Sequence, residues 1–323
     1  MTTTLTYPTA GRYDTRYLLD QTVTVPGFDI EFSGMGELPW PLFHDMVTKI
    51  SYDIAEQAFS HYLIALDHGK PLTAIPAFPS RFFPQLGITV NINSGIERPG
   101  DLVGKRVGVL GFGYNPAAWL RGILEHHHGV PVREVTWVED ADDPFLKGLD
   151  YGRGDGFRVE TLPGLSNQLF DGPQMRPVPA LENGEIDALI SPGGGAPTTE
   201  RTRRLFQDGD GEIESFVRAT GIFPINTLIT LKKSVVDAHP ELPAELLAAF
   251  RAARQHYHRE LTKEGPGDHM GIGTGLLESL GLFPDHYSVT ENRRSIDAII
   301  DYCHDHGVIS RRFSVEEIFA LPG

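Results

Sequence analysis

Short strands that alternate with helices constrain the fold of this chain more than any other feature of its sequence. Two parts of the chain repeat the order of helix, short strand and loop, at Tyr52-Asp-Ile-Ala and at Glu185-Ile-Asp-Ala. Such alternation is typical of parallel sheets covered by helices. The pattern therefore predicts an α/β protein with two lobes built on the same plan. One large doubly wound domain is the alternative.

Individual elements can be read from local signals. Ser60 is a suitable N-cap for an apolar helix over residues 61–66. Farther along, Leu246, Phe250 and Tyr257 keep a helical period, which predicts a long helix over residues 243–261. The acidic, Gly-rich residues 139–157 are expected to form an exposed insertion with solvated carboxylates.

Turn-forming residues mark two places where the chain crosses between the lobes. The first lies at residues 93–101 and the second near residues 220–224. Two crossings make lobe one discontinuous, with residues 1–95 plus 222–323, and leave residues 96–221 for lobe two. Crossing segments of this kind form a hinge, and the cleft between two lobes is the natural place for a ligand.

Composition excludes several classes of protein. The 323 residues carry 28 Lys plus Arg against 43 Asp plus Glu, a net charge of −15, whereas a nucleic-acid-binding protein normally has a basic surface. The single cysteine, Cys303, excludes an internal disulfide and a cysteine-based zinc site. The sequence contains no run of about 18 apolar residues, the length that could span a membrane. Residues 1–10 lack the features of a secretory signal. We therefore expect a cytoplasmic protein, unless a leader has been removed, that binds neither nucleic acid nor membrane.

Thirteen histidines raise the question of a metal site. Consecutive residues in Glu125-His-His-His128 point in different directions at the end of a helix. His256 and His258 are two residues apart on a helix and do not share a face. We therefore predict no metal site, with structural or solvated histidines instead.

Ligands of open α/β sheets collect beyond the carboxyl ends of the strands, and this rule selects the candidate catalytic residues. Arg81 can hold a carboxylate through two parallel hydrogen bonds. His61, at a helix start, can transfer a proton near neutral pH, and Glu56 can orient His61 or the ligand. The alternatives are an ion pair for Arg81, a capping or core position for His61, and backbone hydrogen bonds for Glu56.

The same rule selects residues for substrate binding. Arg12, Asp14 and Arg16 follow the first strand. The candidate substrate-binding residues are Tyr13, Ser80, Arg81, Tyr114, Asn115, Ser191, Asn226 and Thr227. The glycines near residues 111–113 do not form a dinucleotide fingerprint, and residues 191–195 lack the Lys-Ser/Thr ending of a P-loop.

Seven segments resemble those of 4,5-dihydroxyphthalate decarboxylase, in the same order over most of the chain. Phe-Pro-Ser-Arg-Phe-Phe at residues 78–83 and Gly-Ile-Phe-Pro-Ile at residues 221–225 are fairly specific. Asp-Leu-Val-Gly-Lys-Arg-Val-Gly at residues 101–108 recurs across periplasmic-binding-protein-like proteins. The other segments are at residues 52–56, 119–124, 184–188 and 204–206.

This resemblance implies an α/β, two-lobed type 2 periplasmic-binding-protein-like fold. It also implies non-oxidative loss of carbon dioxide from a dihydroxylated aromatic dicarboxylate, giving protocatechuate in the breakdown of phthalates. The family often has Arg-His after Ser-Arg-Phe-Phe and a histidine two positions after Gly-Ile-Phe-Pro-Ile. Here Pro84-Gln85 and Asn226-Thr227 stand in those places, which leaves a related aromatic or cyclic acid open as the substrate.

In the expected reaction, Arg81 binds the carboxylate that stays on the ring and His61 protonates the carbon that loses carbon dioxide. Glu56 or Tyr114 contacts the phenols. The scheme requires no metal and no organic cofactor. The alternatives are a solute-binding protein of an ABC transporter for a small organic acid, and a lyase on a cyclic carboxylate like those of the menaquinone pathway. A homo-oligomer is left open.

Overall fold

The computed structural model describes residues 3–9, 13–34, 40–171, 174–191, 195–263, 265 and 267–320. Arg12 lies outside the described residues, as do residues 192–194 of the loop that follows Ser191.

Strands and helices alternate along most of the chain. The strands are β1 (Thr3–Thr9), β2 (Phe28–Gly34), β3 (Ile54–Ala58), β4 (Leu72–Ile75), β5 (Ile88–Asn91), β6 (Arg106–Val109), β7 (Thr136–Glu139), β8 (Arg158–Thr161), β9 (Phe170–Asp171), β10 (Gln174–Met175), β11 (Ala188–Ile190), β12 (Thr202–Arg204), β13 (Thr227–Lys232), β14 (Asp268–His269) and β15 (Ile272–Gly273). The α-helices are α1 (Arg16–Leu19), α2 (Trp40–Lys49), α3 (Phe59–Asp67), α4 (Asn115–His126), α5 (Leu165–Leu169), α6 (Pro179–Glu182), α7 (Gly209–Thr220), α8 (Lys233–Ala238), α9 (Leu242–Leu261), α10 (Thr274–Ser279), α11 (Val289–Asp305) and α12 (Val315–Ile318).

The chain divides into two compact units. Unit 1 contains Met1–Phe82, Ile225–Asp297 and Phe313–Gly323, and unit 2 contains Phe83–Pro224 and Ala298–Arg312. These limits differ from those of the predicted lobes. Predicted lobe one ends at residue 95 and begins again at residue 222, whereas unit 1 ends at residue 82 and begins again at residue 225.

Long-range contacts explain the two largest differences, which concern β5 and residues 298–312. β5 belongs to unit 2 because it pairs with β11 and β12, although it precedes the predicted boundary. Residues 298–312 also belong there. The Tyr302 ring packs on Trp119 with 5.7 Å between ring centroids, and the carbonyl of Asp305 accepts a hydrogen bond from Arg133.

Unit 2 contains a six-stranded sheet in the order β12-β5-β11-β6-β7-β8. β11, β6, β7 and β8 run parallel to one another, whereas β5 is antiparallel to β11 and β12. α4 follows β6, with Pro116 in its first turn, where a missing N–H costs no helical hydrogen bond. The predicted alternation of parallel strands and helices therefore describes most of this sheet.

Part of the acidic stretch in unit 2 is buried, contrary to the expectation of an exposed insertion. The carboxylate of Glu139 accepts hydrogen bonds from the backbone of Phe112 and from Arg153. Asp140 accepts hydrogen bonds from Gly164 and Ser166. Both carboxylates are buried because they satisfy backbone N–H groups of neighbouring loops.

Unit 1 contains the three-stranded sheet β3-β13-β4 and the parallel pair β1-β2. The prediction of a parallel sheet was wrong for the first of these, since β13 is antiparallel to both β3 and β4. α9 lies over residues 242–261 and buries Leu246, Phe250 and Tyr257, as its period predicted.

The start of α3 also differs from the prediction. The N-cap is Ala58 rather than Ser60, and the helix begins at Phe59. The N–H of Phe59 donates to the carbonyl of Asn226 at 3.0 Å, so a distant segment satisfies the helix end. None of the described helices is both long and apolar enough to cross a membrane.

Candidate functional site

Several predicted site residues of unit 1 meet where α3 and β13 begin. The N–H of Asn226 donates to the carbonyl of Ser80 at 2.9 Å, and Thr227 N–H donates to the same oxygen at 3.2 Å. Thr227 pairs with Ala58 in the β3-β13 ladder. The structure therefore brings the Ser80 loop and the Asn226 segment together beside the first turn of α3.

His61 and Glu56 are buried in this same neighbourhood. His61 lies in the first turn of α3, and Glu56 pairs with Ile229 of β13. Burial lowers the pKa of His61 from about 6.5 to about 3, so its imidazole is neutral near pH 7. A neutral imidazole is a weak acid, which disfavours the predicted role of His61 as the proton donor.

Arg81 lies in the core of unit 1 and is only 2 % exposed. It donates a hydrogen bond to Asn292, and its Nε lies 3.8 Å from Oδ2 of Asp285. Its guanidinium lies 5.3 Å from the centre of the Phe78 ring. Burial lowers the pKa of Arg81 to about 10, against the attraction of Asp285, so the side chain stays charged at neutral pH. A carboxylate held by Arg81 would share the guanidinium with these partners.

Asp285 lies at the centre of a buried set of charges, which we call the Asp285 network: Asp14, Arg81, Arg254, Asp285 and Tyr287. Arg254 on α9 has Nη1 3.7 Å from Oδ1 of Asp285 and Nε 3.2 Å from Oδ2 of Asp14. The Tyr287 hydroxyl donates to Asp14 and accepts from Arg254. The network contains two arginines and two aspartates, so its formal charges balance.

The two aspartates respond differently to burial. Burial alone would raise the pKa of Asp285, but Arg254 and hydrogen bonds from His258 and His269 hold it well below its ordinary value. For Asp14, burial outweighs the attraction of Arg254, and its pKa is raised. Burial opposes the charge of Arg254, yet Asp14 and Asp285 raise the pKa of its guanidinium. Asp285 is therefore the firmly ionised carboxylate of the network.

Two histidines contact the same oxygen of Asp285. Nε2 of His258 lies 2.9 Å and Nε2 of His269 lies 3.2 Å from Oδ1. Nδ1 of His269 lies 3.2 Å from the hydroxyl of Tyr257. The Phe283 ring packs against both imidazoles, with centroid distances of 4.8 and 5.4 Å. Aromatic packing and a shared carboxylate thus fix both histidines.

Two groups of side chains are compact enough to be considered as metal sites. Within each, the potential ligand atoms lie within 4.8 Å of one another, and the groups are His258, His269 and Asp285 in unit 1 and His127, His128 and Glu212 in unit 2. In unit 1, Arg254 and Arg81 lie within 3.8 Å of Asp285 and would repel a divalent cation. The charges there favour ion pairs and hydrogen bonds over a metal centre.

A pocket of about 220 Å³ adjoins the Asp285 network within unit 1. Its lining includes Arg251, Arg254 and His258, which α9 places on one face because residues three, four and seven apart share a helix face. Asp285 and Tyr287 also line it. Guanidinium and imidazole groups of this kind recognise carboxylates through charge-assisted hydrogen bonds.

The remaining predicted residue of unit 1, Tyr13, is 39 % exposed. Its ring packs against that of Tyr257, with 5.6 Å between the centroids. Tyr257 contacts His269, so Tyr13 lies one aromatic ring away from the histidines bound to Asp285.

Three predicted residues belong to unit 2. Tyr114 precedes α4 and stacks on Phe145, with 5.1 Å between the ring centroids. Asn115 is the first residue of α4 and is fully buried. The hydroxyl oxygen of Ser191 accepts a hydrogen bond from the N–H of Ala196 at 2.7 Å. That bond gives Ser191 a structural role in its own loop.

Sequence reasoning missed most of the Asp285 network. One usable signal was the spacing of Arg254 and His258, which are four residues apart on α9 and share a face. His256, the other histidine of α9, lies on another face and gives no such signal. Asp14 and Tyr287 are 273 residues apart in the chain, and no local pattern links them.

Comparison with known proteins identifies relatives of the chain. Residues 44–154 match the family model described as NMT1/THI5 like. The 4,5-dihydroxyphthalate decarboxylase of Comamonas testosteroni is 28 % identical over 326 residues, which cover 96 % of this chain and 94 % of that protein. The protein of the same name from Pseudomonas putida is 31 % identical over 210 residues, 63 % of this chain and 77 % of that protein.

Solved structures, a periplasmic binding protein among them, share the fold. The periplasmic aliphatic sulphonate binding protein SsuA from Escherichia coli is similar with a TM-score of 0.53 and 14 % identity, over 99 % of this chain and 98 % of that chain. Protein AF1704 from Archaeoglobus fulgidus is similar with a TM-score of 0.54 and 12 % identity, over 95 % and 98 %. These likenesses confirm the predicted periplasmic-binding-protein-like α/β fold. The sequence identity with the two curated decarboxylases shows that the chain belongs to the 4,5-dihydroxyphthalate decarboxylase family.

Proposed function

We propose that the protein is a carboxy-lyase that releases carbon dioxide from 4,5-dihydroxyphthalate, giving protocatechuate, or from a closely related aromatic acid. The observation that carries this proposal is the 28 % identity with the decarboxylase of Comamonas testosteroni over 96 % of the chain. The polar pocket beside the Asp285 network supports it, because it offers the charged groups that such a substrate requires.

The reaction makes three demands on the protein. A cation must hold the carboxylate that stays on the ring, a polar group must polarise the phenol, and one proton must reach the carbon that loses carbon dioxide. We assign the carboxylate to Arg254, which lines the pocket. The sequence-predicted Arg81 is not part of that lining and contributes through the other oxygen of Asp285, 3.8 Å from its Nε. Charged contacts are stronger there than in water because the network excludes solvent. No metal or organic cofactor takes part in this scheme.

Two departures from the family pattern bear on the substrate. Gln85, in a position where the family often has histidine, is buried in unit 2 with its amide nitrogen 3.5 Å from Glu212. Thr227, in the other such position, is buried at the start of β13. Both substitutions remove an imidazole from its expected place. This is why the proposal includes aromatic acids related to 4,5-dihydroxyphthalate.

The experiment is an incubation of the purified protein with 4,5-dihydroxyphthalate, with protocatechuate measured by chromatography and carbon dioxide measured in the gas phase. We expect both products in equal amounts. Arg81→Ala should lower kcat/KM by about a hundredfold or more, because it leaves Asp285 beside the pocket without one of its two arginine partners. Arg98→Ala, which removes a largely exposed guanidinium, is the matched control and should behave as wild type.

Far-UV circular dichroism and thermal unfolding of each variant accompany the assay, since Arg81 is buried. A folded Arg81→Ala protein with wild-type kcat/KM would remove Arg81 from the site. Failure to release carbon dioxide from 4,5-dihydroxyphthalate and from a panel of related hydroxylated aromatic acids would remove the proposed activity.

A solute-binding protein is the second candidate, and the fold neighbours favour it. The alkanesulfonate-binding protein SsuA from Xanthomonas axonopodis pv. citri bound to MOPS has a TM-score of 0.51 at 14 % identity. A shared fold does not fix function, but a receptor would bind an organic acid and return it unchanged. Calorimetric titration followed by chromatographic recovery of the acid separates a receptor from a carboxy-lyase.

A further inference from the structure

The proposed reaction requires an acid at the ring carbon, and the sequence-predicted acid is unsuited to this task. His61 is fully buried, and burial leaves its imidazole neutral near pH 7. A proton donor must contact the substrate, so it must border a space that a substrate can enter. Among the described residues, the pocket beside the Asp285 network is such a space, and His258 is one of the histidines that border it.

His258 has the environment of a general acid. Its side chain is 12 % exposed, and its Nε2 lies 2.9 Å from Oδ1 of Asp285. A carboxylate bound to one imidazole nitrogen fixes the ring orientation and stabilises the imidazolium form. The other nitrogen of the ring, Nδ1, is then the one that can deliver a proton to a molecule in the pocket.

A second histidine, His269, also holds Asp285 in place. Nε2 of His269 lies 3.2 Å from the same carboxylate oxygen, and Nδ1 of His269 lies 3.2 Å from the Tyr257 hydroxyl. His269 is fully buried. It is not itself part of the pocket lining, so it is placed to position Asp285 rather than to donate a proton to a bound molecule.

Several other charged or titratable groups face His258. Arg254, on its own helix, lies 3.7 Å from the Asp285 oxygen that His258 contacts. The pocket lining adds Arg251, His286 and Glu291. The arginines can hold an anionic substrate next to His258, while Asp285 offsets their effect on an imidazolium.

We propose that His258 delivers the proton to the ring carbon that loses carbon dioxide, with Asp285 and His269 as positioning residues. The proposal rests on the proposed carboxy-lyase function and names its acid. The imidazolium transfers one proton to the carbon that carries the leaving carboxylate. The bond between that carbon and the carboxylate then breaks, its electron pair returns to the ring, and carbon dioxide departs. His258 is left neutral and regains a proton from water.

The first test replaces His258 by glutamine. His258→Gln should lower kcat by about 10²- to 10⁴-fold, the usual contribution of a general acid, with little change in KM. His256→Gln is the matched control, because His256 lies two residues away on α9 and packs against Tyr17, outside the pocket lining. The control should keep wild-type kcat and KM.

The second test has readouts that a purely structural role would not change. Wild-type kcat should fall as pH rises, because an imidazolium donor loses its proton, and this limb should vanish in His258→Gln. Added imidazole should restore part of the activity of His258→Ala. Reaction in D₂O should place one deuterium on the product at the carbon that lost carbon dioxide.

These outcomes separate the two proposals. If the wild-type protein releases no carbon dioxide, the proposed function fails. If the wild type is active but a folded His258→Gln keeps its kcat, the assignment of His258 alone is overturned. Should the variants not fold, the wild-type pH profile still decides, because the absence of the falling limb contradicts an imidazolium donor.

Discussion

The two units bury arginine in contrasting ways. In unit 1, Arg81 and Arg254 each lie within 3.8 Å of a carboxylate. In unit 2, Arg121 is fully buried, and its three side-chain nitrogens make no hydrogen bond to the described residues. Its guanidinium instead lies 3.7 Å from the centre of the Phe112 ring and 5.6 Å from that of Trp137.

The pKa shifts of Arg254 and Arg121 differ accordingly, whereas that of Arg81 is lowered by burial despite Asp285. Burial lowers the pKa of Arg121 to about 10, whereas two aspartates raise the pKa of Arg254 against burial. Removing a paired buried charge leaves its partner uncompensated, but removing an isolated one does not. The comparison therefore distinguishes an interdependent charged site next to a pocket from a single arginine packed among aromatic rings.

The strongest way to break this comparison is to remove the central cation of unit 1. Arg254→Met leaves Asp14 and Asp285 with less compensation and should lower the free energy of unfolding by about 3–5 kcal/mol. Urea unfolding followed by circular dichroism measures the change. Arg259→Met on the exposed side of α9 is the control. A loss below about 1 kcal/mol would mean that the network charges are not interdependent.

Acid should destabilise both units through buried neutral histidines. Burial lowers the pKa of His61 to about 3 and, with help from Arg121, that of His306 to about 2, although a carboxylate oxygen of Glu125 lies 2.8 Å from Nε2 of His306. Both values lie below the pKa of a histidine in the unfolded chain, so the unfolded chain binds protons first as pH falls. The contribution of each histidine to the free energy of unfolding is therefore fully present above about pH 6.5 and is lost as pH falls below it. Each histidine should cost about 2 kcal/mol between pH 7 and pH 5.

The measurement compares urea unfolding at pH 7 and pH 5 in His61→Gln and His306→Gln. Each variant should show a pH dependence that is smaller than wild type by the contribution of its histidine. A Trp40→Phe background makes tryptophan fluorescence report unit 2, which contains Trp119 and Trp137, the other two tryptophans of the sequence. Equal pH dependence in wild type and variants would show that neither histidine resists protonation.

A smaller effect is expected from Arg121→Met in unit 2. No carboxylate is left behind, so the free energy of unfolding should stay within about 1 kcal/mol of wild type or increase. Losing the contact between the guanidinium and the aromatic rings destabilises the fold, whereas removing a buried charge stabilises it, so the two effects oppose each other. Fluorescence-monitored unfolding in the Trp40→Phe background measures the result. A loss above about 3 kcal/mol would reveal that Arg121 depends on an anion after all.

The smallest effect is expected from removing metal ions. Dialysis against EDTA should leave carbon dioxide release unchanged, because Arg254 and Arg81 oppose a cation at Asp285. The assay follows turnover before and after dialysis. Loss of activity that zinc or manganese restores would instead assign His258, His269 and Asp285 to a metal.

Local patterns predicted the elements better than their assembly. The period of apolar residues correctly predicted α9, because helix formation depends on neighbours a few residues apart. The antiparallel direction of β13 was not predictable, since its partners β3 and β4 lie more than 150 residues earlier. The prediction of Ser60 as N-cap was wrong for the same reason. The carbonyl of Asn226, distant in the sequence, accepts a hydrogen bond from the N–H of Phe59, and α3 begins there.

The site shows the same limit. Arg81 was recognised from its own segment, and the structure gives it a buried charged setting. Asp285 and Arg254 were missed because their significance depends on contacts between distant segments. His61 was expected to donate a proton, but the extent of its burial, which sets its protonation state, cannot be read from neighbouring residues.

The order in which β3, β13 and β4 occur along the chain has a consequence for biosynthesis. β13 is the middle strand of that sheet, yet a ribosome makes it only after the whole of residues 83–224. Until then, β3 and β4 lack their shared partner and expose unpaired backbone edges, which favour aggregation during translation. The nascent chain should therefore rely on chaperones longest in its earliest-made segment, and slowing translation between β4 and β13 should lower the yield of soluble protein.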